Sequence, residues 1–169
     1  AKFRLLKNQL NDHYAFIKKE DLLIKKEFRE NKFKSKIIKV DTTKVDNFLK
    51  KINNSYFLTE TNKENLAFVL EISKKLKLKN NLLIKAVQNF KGLKYRQQII
   101  FKKNKLTIIN DSKSTSFSSS IGPLKVNPNI YWLLGGIPKK GDKFNLPKKY
   151  FKNIKGFIFG KKYKKFSID

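Results

Sequence analysis

Two stretches of the sequence gather side chains able to handle anions. The first follows the apolar run Thr107-Ile108-Ile109 and reads Asn110, Asp111, Ser112, Lys113, Ser114, Thr115 and Ser116. It sets a carboxylate, an ammonium and several hydroxyls at an expected helix N-terminus, where free amides and the helix dipole favour negative charge. The same residues also suit plain capping, with Asp111 and the serines satisfying those amides. The second stretch, Gly135-Gly136-Ile137-Pro138-Lys139-Lys140-Gly141-Asp142 and Lys143, follows another apolar run, Ile130 to Leu134. Its glycines admit close approach of backbone to a ligand, and its lysines stand beside them. In an open α/β sheet, ligands bind beyond the carboxyl ends of the strands, so these two exits are expected to converge on one ligand.

The elements that must position these residues can be read from pattern. A rough helical stripe covers Lys2 to Leu10, and strands are expected at His13 to Ile17 and Lys36 to Val40, with a loop or short surface helix between them. Val45, Phe48, Leu49 and Ile52 keep the i, i+3, i+4, i+7 spacing of a helix face. Thr61-Asn62-Lys63-Glu64 has the form of a capping box and predicts a helix start, with a buried stripe running to about Lys77. A second helix follows Asn80 and Asn81, with Gly92 expected as its left-handed stop. Beyond Gly92 the texture turns to strands. A hairpin over Gln97 to Ile109, a helix over Ser118 to Lys125 and the strand Ile130 to Leu134 predict a parallel βαβ unit, with one more strand at Phe157 to Phe159. A domain boundary is placed close to Gly92.

Composition narrows the chemistry. The chain has 169 residues, is 40% hydrophobic, and carries no cysteine and one histidine. That excludes a disulfide framework, a cysteine-ligated zinc site, a thiol nucleophile and a serine triad with a histidine to spare. His13 reads as an ordinary strand-edge residue. No apolar stretch approaches the roughly 20 residues that cross a bilayer, and a soluble, cytoplasmic protein is expected. Methionine is absent and the first residue is Ala1, which reads as a processed or excised piece. The charge is +27, from 40 basic and 13 acidic residues, and raises a lysine-rich nucleic-acid-binding module as one alternative. Against it, only Arg4, Arg29 and Arg96 are arginines, whereas base and phosphate readers favour the guanidinium fork. Lysine, asparagine, isoleucine and phenylalanine are abundant together, as A/T-rich coding produces. A solvated basic surface is the preferred reading, and no nucleic-acid partner is expected.

Taken in order, three segments resemble the carboxyl-terminal domain of the Mur ligases. They are Gly92-Leu93-Lys94-Tyr95-Arg96, Ile109 to Thr115, and Leu133-Leu134-Gly135-Gly136 with Lys139. Within that family the Asn110 to Thr115 string is most similar to that of the D-glutamate-adding members. The Ala-His and Asn-Ala-Asn-Pro strings of sister enzymes and folylpolyglutamate synthases do not occur here. Upstream, Ala1-Lys2-Phe3-Arg4-Leu5 resembles the segment whose lysine is carbamylated to bind magnesium, although Lys2 also suits an exposed helix lysine. Thr61 to Ala67 resembles the family's His-Asn-x-x-Asn helix start, keeping Asn62 and Asn65 and replacing the histidine by Thr61.

The resemblance implies an α/β chain in which residues 1–92 end a central ATP-binding domain and residues 93–169 begin a Rossmann-like C-terminal domain. It implies ATP and Mg2+ as cofactors, and UDP-N-acetylmuramoyl-L-alanine and D-glutamate as substrates in peptidoglycan precursor synthesis. ATP would phosphorylate the substrate carboxylate, and the D-glutamate amine would attack the acyl phosphate. By the same analogy Arg96 and Asp111, with Asn62 and Asn65, hold ATP. Lys113 stands near phosphate or the incoming substrate, and Thr115 and Lys139 bind the D-glutamate carboxylates. A carbamylated Lys2 would offer magnesium an oxygen ligand. For Arg96 a surface salt bridge is the alternative; for Lys139, Lys140 or Lys143 could take the role.

There are departures. Tyr95 replaces the usual histidine and Ser116 an asparagine, and these residues contain no Gly-x-x-Gly-Lys-Ser/Thr phosphate loop. The expectation is therefore a partial chain, inactive as a ligase alone, of an enzyme that works as a monomer away from membranes. Another Mur-type or folylpolyglutamate ligase stands as a further alternative.

Overall fold

The computed structural model describes residues 3–137 and 141–160. Two compact units share the chain: one takes in the residues up to Phe57 and Thr61–Phe90, the other Leu58–Glu60 and the described residues from Lys91 onward.

In the first unit α1 (Phe3–Lys7) precedes β1 (Tyr14–Lys18), α2 (Leu22–Glu30) and β2 (Lys36–Val40). The two strands pair in parallel, from Tyr14 opposite Lys36 to Lys18 opposite Val40, with α2 as the crossover. Asp21 starts α2 by accepting from the Leu23 and Ile24 amides at 2.9 and 3.0 Å, so the sequence 18–31 holds a true helix. A 3-10 turn (Thr42–Val45) then leads into α3 (Asp46–Leu49), and α4 (Glu60–Lys75) and α5 (Asn80–Gln88) complete the unit. Val40, Val45, Phe57, Leu66, Ala67 and Val87 form its core, with Phe16, Phe48, Leu49 and Ile52 packed around them.

Three boundaries differ from expectation for local reasons. The helix expected over 45–52 is cut short: Asp41 draws in Thr43 through its amide and hydroxyl, tightening the start, and Asn54 accepts from the Tyr56 amide just after. The helix carrying Thr61 begins at Glu60, so Thr61 lies in its first turn and is not its cap; Glu64 forms an ion pair with Lys18 of β1. Gly92 is left-handed (φ 78°) but does not end α5. That helix stops at Gln88, where Asn54 Nδ2 donates to the carbonyls of Val87 and Phe90, both at 2.8 Å.

In the second unit β3 (Gln98–Lys103) and β4 (Leu106–Asn110) form the expected hairpin, with Asn104 left-handed in the turn. Then come α6 (Phe117–Val126), β5 (Ile130–Gly135), a 3-10 segment (Lys148–Asn153) and β6 (Ile154–Phe159). The βαβ expectation is corrected in its pairing. β4 pairs with β3, whereas β5 forms a parallel ladder with β6, from Ile130 opposite Ile154 to Gly135 opposite Phe159. Element order alone does not decide which strands become neighbours: the hairpin and the β5–β6 ladder are separate two-stranded sheets. Phe117 and Leu124 of α6 are buried with Leu146, and Phe144 stacks on Trp132 and Phe151 at centroid distances of 5.4 and 5.8 Å. The segment 142–146 is thereby strapped across β5.

Candidate functional site

The site is built outward from β4. Where that strand ends, Asn110 accepts from the Ser112 amide (3.0 Å) and the Asp111 carbonyl accepts from the Ser114 amide (2.8 Å), turning the chain toward α6. The Asp111 carboxylate looks away from the helix. Its Oδ1 accepts from the Gln97 amide at 3.0 Å, in the turn that carries Arg96. A second bond locks the same two segments, from the Lys113 amide to the Tyr95 carbonyl at 3.1 Å, and Lys113 Nζ lies 5.8 Å from the centre of the Tyr95 ring.

The Arg96 turn is unusual in its backbone. Tyr95 (φ 64°) and Gln97 (φ 49°) are both left-handed, one on each side of the arginine, although neither is glycine. Such conformations cost of order 1 kcal/mol or more each and persist only where surrounding contacts over-determine them. Here the contacts are visible. The Arg96 amide donates to Leu93 carbonyl (3.1 Å), the Tyr95 amide to Gln98 Oε1 (3.0 Å), and Thr59 Oγ1 to Gln97 Oε1 (3.2 Å). Arg96 and Lys113 are exposed and Asp111 is half-buried, on two segments that hydrogen bonds join.

At the N-terminus of α6 the carboxylate is Asp142, not Asp111 or a serine. Asp142 Oδ2 accepts from the Phe117 amide at 2.7 Å, bringing the end of the glycine-rich loop onto the helix that follows the Asn110–Ser116 stretch. Ser116 makes no capping bond and shares its hydroxyl with Ser118 and Ser119 at 2.9 and 2.7 Å; Thr115 is exposed beside it. Asp142, near the end of the glycine-rich stretch, is thus bonded to the helix that follows the Asn110–Ser116 stretch. Sequence offered no signal for this pairing, since Asp142 lies 25 residues from its partner. The roles of Tyr95 and Gln97 were equally hidden, because positive φ at such residues is imposed by tertiary contacts.

In the first unit, Asn62 is buried and its Nδ2 donates to the Tyr56 carbonyl at 2.7 Å, whereas Asn65, one turn along α4, is exposed. Lys2 and Lys139, as well as Lys140, lie outside the described residues.

No protein-family model matches the chain. Among curated proteins, the UDP-N-acetylmuramoylalanine--D-glutamate ligase of Buchnera aphidicola subsp. Schizaphis graminum is 36% identical over 156 residues, which is 89% of this chain and 31% of that relative. Enzymes of the same name from Francisella tularensis subsp. tularensis and Rickettsia prowazekii are 40% identical over 105 residues and 37% over 98. These alignments take in 60% and 58% of this chain. They span 25% and 22% of the two relatives. This chain is a partial homologue of D-glutamate-adding Mur ligases. It spans between about a fifth and a third of the length of the relatives it matches.

At the Arg96 turn and Lys113 the chain presents exposed cationic side chains. It does not show a magnesium centre: among the described residues no three His, Cys, Asp or Glu side chains cluster as metal ligands. The oxygen ligand that the family resemblance implies rests on Lys2, outside the described residues. No helix among the described residues is long and apolar enough to cross a membrane.

Proposed function

We propose that this chain is the adenosine-gripping and D-glutamate-binding part of an ATP-dependent ligase that joins D-glutamate to UDP-N-acetylmuramoyl-L-alanine in peptidoglycan precursor synthesis. On this reading residues 1–92 close a central ATP-binding domain and residues 93–169 open a Rossmann-like C-terminal domain. The supporting observation is the pair of backbone bonds that join the Arg96 turn to the Asp111–Lys113 segment. They join two segments that each resemble a separate Mur ligase motif.

The chemistry follows from charge. The carboxylate of UDP-N-acetylmuramoyl-L-alanine attacks the γ-phosphorus of ATP, giving an acyl phosphate and ADP. The D-glutamate amine then attacks the acyl carbon, phosphate leaves, and the amide forms with loss of a proton. Both steps gather negative charge on phosphate oxygens and on a tetrahedral oxyanion, so they require placed cations more than a covalent nucleophile. Arg96 offers a flat, forked donor to the adenosine end. Asp111 spends one oxygen on Gln97 and keeps the other as an acceptor for a ribose hydroxyl. Lys113, two residues on, is the cation for phosphate or the incoming substrate. Thr115 and a lysine of the 135–143 loop donate to the D-glutamate carboxylates. The family resemblance assigns Asn62 and Asn65 to ATP as well.

The test is an amino-acid swap with the full-length gene product. ADP release that depends on both UDP-N-acetylmuramoyl-L-alanine and D-glutamate is expected, with L-lysine, meso-diaminopimelate and glutamate offered to folate all inert. Turnover with one of these instead of D-glutamate, or none with any, contradicts the assignment.

A further inference from the structure

Gln97 belongs to no Mur ligase motif singled out in the sequence, yet the geometry around Arg96 runs through it. Its backbone is left-handed (φ 49°), its amide donates to Asp111 Oδ1 at 3.0 Å, and its side-chain oxygen accepts from Thr59 Oγ1 at 3.2 Å. Thr59 is itself 5% exposed, and its side chain lies against Gly122 of α6, where an added Cβ would come within 3.3 Å of it. Gln97 is therefore held from two sides: by the carboxylate that follows β4 and by a buried hydroxyl seated on α6. Both anchors act on the residue that directly follows Arg96.

We propose that Gln97 is a positioning residue for the nucleotide. Its enforced left-handed backbone aims the Arg96 guanidinium at the ligand that Asp111 also contacts, and Thr59 is the strut that keeps it there. The proposal rests on the reading of Arg96 and Asp111 as nucleotide-binding residues. A residue that only stabilised the fold would lower stability and function together. A positioning residue under backbone strain separates them, because glycine relieves the strain at positive φ while loosening the aim.

The experiment uses the full-length gene product and four variants, with KM for ATP, KM for D-glutamate and thermal midpoint measured in parallel. Gln97→Gly is expected to hold or raise the midpoint while raising KM for ATP. Thr59→Val removes the hydroxyl at nearly constant volume and should raise KM for ATP by about fivefold, the order of one neutral hydrogen bond. Neither should move KM for D-glutamate by as much as twofold. Gln97→Asn keeps an amide oxygen on a residue that tolerates left-handed backbone, and should recover part of the ATP affinity. Arg96→Ala is the reference for the underlying reading. If it loses ATP affinity while Gln97→Gly and Thr59→Val keep the wild-type KM, the positioning role is overturned and the nucleotide site stands. If Arg96→Ala also keeps the wild-type KM for ATP, both fall. Should Thr59→Val misfold, Gln97→Gly decides alone, since glycine at positive φ offsets the loss of a half-buried side chain.

Discussion

A glycine pair on the β5–β6 ladder offers a matched test of how tightly the glycine-rich exit is built. A Cβ on Gly135 would lie 2.7 Å from the carbonyl oxygen of Phe159 and 2.8 and 2.9 Å from two carbons of its ring. The ring can turn aside, but the oxygen is backbone of β6, so Gly135→Ala must spread the strands where the loop departs. Overpacking of this kind costs about 1–3 kcal/mol, offset by about 0.4–1 kcal/mol from the less flexible unfolded chain. The net expectation is a loss of about 1–2 kcal/mol. Gly156 lies opposite Trp132 in the same ladder, has no atom within 4 Å of an added Cβ, and is not left-handed. Gly156→Ala should therefore gain about 0.4–1 kcal/mol through the unfolded state alone. Urea titration followed by Trp132, the single tryptophan, reads both variants in the unit they alter. Their midpoints should move in opposite directions with unchanged slope. A Gly135→Ala midpoint at or above wild type would show that the two strands do not approach as described.

Three further outcomes are expected. Asp142→Ala removes the carboxylate from the Phe117 amide and should cost about 1 kcal/mol in the same urea assay, whereas Asp142→Asn should recover most of it. Leu66→Ala opens a cavity in the core of the first unit, where Leu66 is 1% exposed, and should cost about 2–5 kcal/mol by chemical denaturation. The Asp41 carboxyl is held below the ordinary aspartate range, first by the Thr43 hydroxyl and then by the Thr43 amide. A depressed folded pKa means that its stabilising contribution is complete above the unfolded value and fades as pH falls through the folded value, so carbon-detected NMR titration should place its midpoint below that of a model peptide. Thr43→Val should bring it back up.

Much of the element order was legible because its signals are local. The strand Lys36–Val40 and the hairpin around Asn104 follow from apolar runs and turn chemistry, and α5 from its apolar stripe. What escaped depends on distant partners. Thr61 looks like a helix cap until Lys18, far away in sequence, engages Glu64. Asp111 and the serines look like the caps of α6, but Asp111 is spent on Gln97 and the cap arrives from Asp142. The pairing of β5 with β6 was out of reach for the same reason, since strand order is a property of the assembled sheet. In the site, residue types announced anion handling while the left-handed backbone at Tyr95 and Gln97 stayed silent, because nothing in a Tyr-Arg-Gln string demands it.

The most direct measurement is a backbone NMR titration of this chain with ATP, reading which amides respond. A nucleotide grip at the Arg96 turn predicts saturable shifts concentrated at Arg96, Gln97 and the Asp111–Lys113 amides, reduced by Asp111→Ala and little affected by moderate salt. Shifts scattered over the lysines and abolished by salt, or confined to other segments, would contradict it.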